Sequence, residues 1–264
     1  MRVFLGTGLK MNDKILVVIP SFLPNLWCFE LLNWLQRSNV HHVALFDNSG
    51  SFPESKIQNL SKVELIRSGC NLNWLASNNL GAMMALEGNY DYVCFMNDDV
   101  LLSGNFFKGI LRTFEAANKP GVVVPRYNGS FCKAASHRKA TPKNWKPQDE
   151  DIEVNYTDGT CMTVPVEVIE EVGFFDPSFR FPNWGADVDF CYRVRQKGYK
   201  CYVSCRSMLW HNHKRGGTSA SVYYGNVIKW LKTGNDQARA DLTNKYGKNF
   251  KSVLSLDDNA YNMK

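Results

Sequence analysis

The chain has 264 residues, 44% hydrophobic and 21% charged, ordinary values for a globular protein and enough for one large domain burying roughly three-quarters of its unfolded surface. Its 31 lysines and arginines against 25 acidic residues leave a formal charge of +6, spread out except at Arg193 to Lys200 and Lys214-Arg215. That is no nucleic-acid footprint, and it suits an anionic small substrate.

No stretch reaches the eighteen or so apolar residues of a bilayer span, and MRVFLGTGLKMNDK lacks the apolar run of a signal peptide. A cytoplasmic protein is expected, with no integral membrane segment and with peripheral membrane contact left open. Eight scattered cysteines without a CxxC read as buried reduced thiols rather than a disulfide framework.

Residues 1–13 read as an extension ahead of the first strand. Ile15 to Ile19 is a β-branched run ended by Pro20, the pattern of a buried parallel strand. A helix follows from Leu26 to Gln36, then a strand from His42 to Phe46 closed by the turn residues Asp47-Asn48-Ser49-Gly50. Val63 to Ile66 is a strand, Ala76 to Glu87 a helix, Tyr92 to Met96 a strand, and Phe106 to about Asn118 a helix. This alternation predicts an α/β fold with a mostly parallel, doubly wound sheet and helices on both faces. Val122 to Pro125 is a further strand, and 127–155 a polar excursion or lid. Cys161 to Val164 is a strand, Val166 to Glu171 a short helix, and Asp187 to Lys197 a helix with Gly198 behind it. Tyr199 to Val203 is a strand, and the tail carries helices near Val222 to Leu231 and Asp236 to Tyr246.

Ligands of open parallel sheets bind at the carboxyl ends of the strands. Three polar clusters fall there: Pro20-Ser21, Asp47-Asn48-Ser49-Gly50 and Asn97-Asp98-Asp99. Each alone reads as a turn, but their recurrence along one rim points to a site. Two adjacent carboxylates at a strand end repel unless a cation sits between them and a ligand, so Asp99 is a candidate for Mn²⁺ or Mg²⁺ with substrate phosphate oxygens. Asp187 and Asp189 stand near a helix start, where the helix dipole favours negative charge. Trp184 and Gly185 just upstream add an indole that can grip a sugar ring and a backbone that can be approached closely. In LWHNHKRGGTS, His211 and His213 offer imidazoles to a metal, and the basic glycine-rich loop suits phosphate. Cys201, Cys205, His211 and His213 have an atypical spacing for a zinc site.

Four blocks in order resemble the family 2 inverting glycosyltransferases of the GT-A fold, especially their rhamnosyltransferase-like branch. They are VVIPSF; ALFDNSGS; NLNWLASNNLGAMMA with YVCFMNDDV; and DGTCMTVPVEVIEEVGFFDPSFRFPNWGADVDFCYRVRQKGY closed by LWHNHKRGGTS. The resemblance covers residues 14 to about 219. It implies a Rossmann-like GT-A domain over 14–220, with a nucleotide-sugar half (about 14–125) and an acceptor half (about 126–220), and a C-terminal helical extension (221–264) on the acceptor side.

The resemblance also implies roles. Pro20, Ser21, Asp47, Asn48, Asn79, Gly81, Asn97 and Asp98 would line the donor pocket, with Asp47 on the base. Asp99 and His211 would hold the metal within a DxD-type motif. Asp187 would be the general base with Asp189 its rival, and Gly159, Trp184 and Gly185 would face the acceptor sugar. The chain departs from the pattern with Asn97 for Asp, Ala186 for Glu, and Asn73 where many relatives have glycine.

The expected reaction moves a sugar from a nucleoside-diphosphate sugar to an acceptor hydroxyl, on a glycan or glycoconjugate, with inversion. A sugar-nucleotide nucleotidyltransferase would carry a glycine-rich basic loop after its first strand, whereas this chain has PSFLPNLW. A binding module that had lost catalysis would have no need of both sets of carboxylates.

Overall fold

The computed structural model describes residues 13–24, 26–212 and 226–261. Among these, nine strands form one sheet: β1 Ile15–Ser21, β2 His42–Asp47, β3 Val63–Ile66, β4 Tyr92–Met96, β5 Val100–Leu102, β6 Pro120–Tyr127, β7 Asp151–Val154, β8 Cys161–Pro165 and β9 Lys200–His211. Their order in space is β3-β2-β1-β4-β8-β6-β9-β5, with β7 on β9. The helices are α1 Leu26–Arg37, α2 Asn73–Glu87, α3 Phe106–Ala116, α4 Val166–Val172, α5 Ala186–Gln196, α6 Val227–Tyr246 and α7 Phe250–Leu254.

The first four strands in space are mutually parallel, as their buried apolar runs require. β8 joins β4 antiparallel, β6 and β9 are parallel, and β5 and β7 run antiparallel to β9. Residues Ile15 to Ile19 and Val93 to Met96 are all at most 1% exposed, so the core sits on both sides of β1 and β4. Ala238 and Leu242 of α6 and Leu254 of α7 join that same core.

Several elements differ from the sequence expectation, each for a local reason. β1 runs through Pro20 to Ser21, because it pairs with β4 only from Ile15 to Val18. Past Val18 one edge of β1 is free of β4, and a residue without an N–H is accommodated there. β9 is twelve residues long, extending to His211 and recruiting the three-residue β5. The 127–155 excursion contains β7 and a single turn of 3-10 helix at Lys133–Ala135. Where two tail helices were expected, the described residues form one, α6, that passes through Gly234, and the short α7 follows it.

Asn73 takes φ +57, a left-handed conformation that glycine and asparagine tolerate best, which accounts for asparagine at that place. None of the eight cysteines is in a disulfide, and seven are buried. No helix among the described residues is long and apolar enough to cross a membrane.

Candidate active site

The chain lays down β1, β2 and β3 in one direction and then returns to set β4 on the other side of β1, so the switch point of the sheet lies between β1 and β4. The strand ends touch there: Ser21 Oγ donates to Asp98 Oδ2 at 2.7 Å. A cleft of about 640 Å³ opens over this point, within the range of small-molecule sites. Of the sequence candidates, Pro20, Asn48, Asn97, Asp98 and Asp99 line it from the β1, β2 and β4 ends. Gly159, Trp184, Gly185, Asp187 and His211 line it from the opposite half.

Asp99 and His211, 112 positions apart in sequence, are joined by the β5–β9 ladder. Val100 pairs with His211, and the Asn212 N–H donates to the Asp99 carbonyl at 3.0 Å. Asn128 braces the strand end, accepting from the His211 N–H at 2.7 Å and donating to its carbonyl at 3.0 Å. Asp99, only 6% exposed, places Oδ1 3.2 Å from His211 Nε2. Burial works to lower the His211 pKa, but the hydrogen bond and charge of Asp99, with the charges of Asp158 and Asp98, raise it overall. The surroundings favour positive charge at this spot.

That donor set fits a hard divalent ion. Two ligand atoms on adjacent corners of an octahedron with bonds of about 2.1 Å lie about 3 Å apart, close to the observed separation. Among the described residues no group of three or more His, Cys, Asp and Glu side chains is placed to hold a metal. The protein would thus supply two ligands and leave the remaining positions to phosphate oxygens and water, as Mg²⁺ commonly requires. The zinc alternative finds no support, since Cys201 and Cys205 are buried and belong to no such group. His213, Lys214 and Arg215 lie outside the described residues.

Asp187 lies in the first turn of α5 behind Gly185, whose φ of +95 turns the chain into the helix. Its Oδ2 accepts from the Gly159 N–H at 2.7 Å and its Oδ1 from the Val188 N–H at 2.9 Å. Burial, reinforced by the Asp158 charge, outweighs these bonds and pushes the carboxyl up to about 6. A half-buried carboxylate titrating near neutrality at a cleft wall is suited to taking a proton.

Other candidates stand off the cleft. Asp189, one turn face away from Asp187, has a fully buried carboxylate held by Arg193 at 2.8 Å, Lys245 at 2.5 Å and the Tyr246 hydroxyl at 2.5 Å. It ties α5 to α6 and does not line the cleft. Asp47 organises its own turn, accepting from Ser49, Gly50, Phe52 and Arg67. Burial opposes its charge, but the bonds from Phe52, Ser49 and Arg67 hold its pKa below the usual carboxylate value. The side chain of Asn79 pairs with the backbone of Phe175 in both directions, at 2.8 and 2.9 Å. Gly81 lets α2 lie on β1: a Cβ there would come within 2.4 Å of Val18. Neither lines the cleft. Asn48 does, while bridging the end of β2 to Leu72 and Ser77.

The cleft also contains residues that sequence reasoning passed over. Asp158, next to Gly159, accepts from Ser130 Oγ at 2.5 Å and from the Phe131 N–H at 3.2 Å, and its charge reaches both Asp187 and His211. Trp74 packs against Gly159, where a Cβ would sit 2.5 Å from its ring. Asn183, Trp230, Asn235 and Tyr261 also line the cleft, the last three from the tail. The Asp158-Gly159 pair at the mouth of β8 was readable as a strand-end carboxylate; the tail residues carried no motif.

No protein-family model matches the chain. A 218-residue stretch is 25% identical to an uncharacterized protein of Mycobacterium tuberculosis, covering 82% of this chain and 80% of that one. A 177-residue stretch is 24% identical to the low-salt glycan biosynthesis hexosyltransferase Agl10 of Haloferax volcanii, covering 61% of this chain and 55% of that protein. Among solved structures, GalNAc-T7 with UDP, GalNAc and Mn²⁺ superposes with a TM-score of 0.60 at 12% identity over 92% of this chain, which spans 55% of that structure. A mannosyltransferase of Pyrobaculum calidifontis in complex with GDP-Man and Mn²⁺ superposes at 0.56 and 14% identity, over 92% of this chain and 68% of that one. TarS of S. aureus gives 0.56 at 13% identity, over 91% and 69%. The chain has the GT-A fold of glycosyltransferases.

Proposed function

We propose that this protein is an inverting, metal-dependent glycosyltransferase that moves a sugar from a nucleoside diphosphate to a hydroxyl of a glycan acceptor. The observation that carries the reading is the pairing of Asp99 with His211 on one side of the cleft and Asp187 on the other, at the switch point of the sheet. The GT-A fold and the complexes of its structural neighbours with UDP or GDP-Man and Mn²⁺ support it. The resemblance to family 2, in its rhamnosyltransferase-like branch, is part of the same proposal.

The residues divide the work. Pro20, Asn48, Asn97 and Asp98 would receive the donor over the β1–β4 ends, with Ser21 fixing Asp98. Asp99 and His211 would hold Mn²⁺ or Mg²⁺. When bound, the ion supplies charge stabilisation to the departing diphosphate. Asp187 takes the proton of the acceptor hydroxyl as that oxygen attacks the anomeric carbon from the face opposite the diphosphate. The C–O bond to the diphosphate breaks as the new glycosidic bond forms, which inverts the centre. Each Asp187 oxygen spends one lone pair on a backbone N–H, which fixes the carboxylate while leaving lone pairs for the incoming proton.

A panel of UDP-, GDP- and TDP-sugars, each with and without Mn²⁺, tests the reading. We expect at least one donor to be hydrolysed slowly and to raise the melting temperature only with the ion present. A panel in which none binds or turns over in either condition would overturn it.

A further inference from the structure

We propose that α6 completes a stacking slot for the acceptor, built to hold one neutral hexopyranose ring of a glycan beside Asp187. This deepens the transferase reading and rests on it. The walls are Phe181, Trp184 and Trp230, all lining the cleft. Trp184 meets Trp230 edge to face, with centroids 6.2 Å apart at 87°, and Phe181 meets Trp230 at 5.4 Å and 61°. Each of the three rings forms part of the cleft wall, where an aromatic surface can take the C–H face of a sugar.

Two further observations point to a ligand with hydroxyl groups. Asn183, only 5% exposed, donates through Nδ2 to the Phe179 carbonyl at 2.8 Å, while its buried Oδ1 accepts no hydrogen bond. A buried acceptor left so is costly, and a sugar hydroxyl arriving in the cleft would satisfy it. The second is Gly234, buried in the middle of α6. Glycine in a helix interior is less favourable than alanine. Here a Cβ would come within 2.6 Å of the Trp184 ring, so the glycine sets where that indole lies. Placement agrees with the chemistry: Asn183 and Trp184 precede Asp187 by four and three residues on one turn into α5, and all three line the same cleft.

The test is saturation-transfer NMR with tryptophan fluorescence titration, using the methyl glycosides of glucose, galactose, mannose, rhamnose and N-acetylglucosamine on the intact chain. Calorimetry with UDP or GDP and Mn²⁺ runs on the same samples. We expect wild type to bind at least one glycoside and Trp230→Ala and Gly234→Ala to weaken it about tenfold or more. Asn183 has φ +67, which glycine adopts readily, so Asn183→Gly should keep the backbone and weaken binding severalfold, and Trp230→Phe should recover part of the affinity. Nucleotide affinity should stay within about twofold in each variant that melts like wild type.

Wild type that binds nucleotide but no glycoside would overturn the slot, as would variants that bind glycoside normally. Loss of nucleotide affinity in Trp230→Ala would assign these rings to the nucleobase instead. Glycoside binding that follows this pattern in a protein that binds no nucleotide would leave the slot standing and sink the transferase reading.

Discussion

Replacing Asp187 by asparagine separates its chemical role from its effect on stability. Burial raises this carboxyl from 3.8 to about 6, so the folded chain holds its proton more tightly than the unfolded chain does. Between those values the native state binds more protons, and stability falls as pH rises. With each tenfold in proton affinity worth about 1.4 kcal/mol, wild type loses up to about 3 kcal/mol between pH 4 and 7 through this one group. Asparagine cannot ionise, so that component vanishes. Its amide oxygen keeps one of the two N–H bonds from Gly159 and Val188, while its NH₂ faces the other, at a cost of roughly 1–3 kcal/mol that does not vary with pH. Urea denaturation at pH 4, 5, 6 and 7 should therefore find the variant less stable at pH 4 and level with wild type or above it near pH 7. Turnover at pH 7.5 should fall by about two to four orders of magnitude, the usual share of a general base. A stability difference flat across that pH range, or a variant within about threefold of wild-type turnover, would overturn the assignment.

Other perturbations give distinct outcomes. Asp99→Ala and His211→Ala should each abolish the Mn²⁺ dependence of nucleotide binding in calorimetry; unchanged affinity with the ion would remove both from the metal site. Asp189→Ala should lower stability by roughly 1–3 kcal/mol in thermal melts, because it removes the buried carboxylate that Arg193, Lys245 and the Tyr246 hydroxyl hold in common, while any folded protein retains the pH profile set by Asp187. Gly81→Ala should destabilise by roughly 1–3 kcal/mol through its collision with Val18 and leave nucleotide affinity per folded molecule intact. The rate of transfer as a function of pH should rise through about 6 and level above it, since Asp187 must be ionised to accept a proton.

The parallel half of the sheet was readable because its strands are continuous apolar runs ended by polar residues, with helices between them. Tyr92–Met96 and Val63–Ile66 match their sequence spans without change. Short-range patterns could not reveal β5: three residues carry no period, and Val100–Leu102 is a strand only because residues more than a hundred positions later pair with it. The same pairing brings His211 to Asp99, so their meeting is a fact of register. Asp189 and Asp187 are chemically alike in sequence; what separates them is that one points at Arg193 and Lys245 and the other at the cleft. Gly81 and Asn79 sit in a stretch that resembles donor-binding relatives, yet close helix–strand packing and a backbone clasp at Phe175 occupy them. The aromatic wall from α6 had no local signature, because its significance lies in what stands opposite it.

A crystal structure with Mn²⁺ and a nucleoside diphosphate, phased to show the manganese by its anomalous scattering, settles where the ion sits. The proposed mechanism requires a single peak within bonding distance of Asp99 Oδ1 and His211 Nε2, with diphosphate oxygens completing its shell. A nucleotide bound in the cleft with no ion at that pair, or with the ion held by other residues, would contradict it.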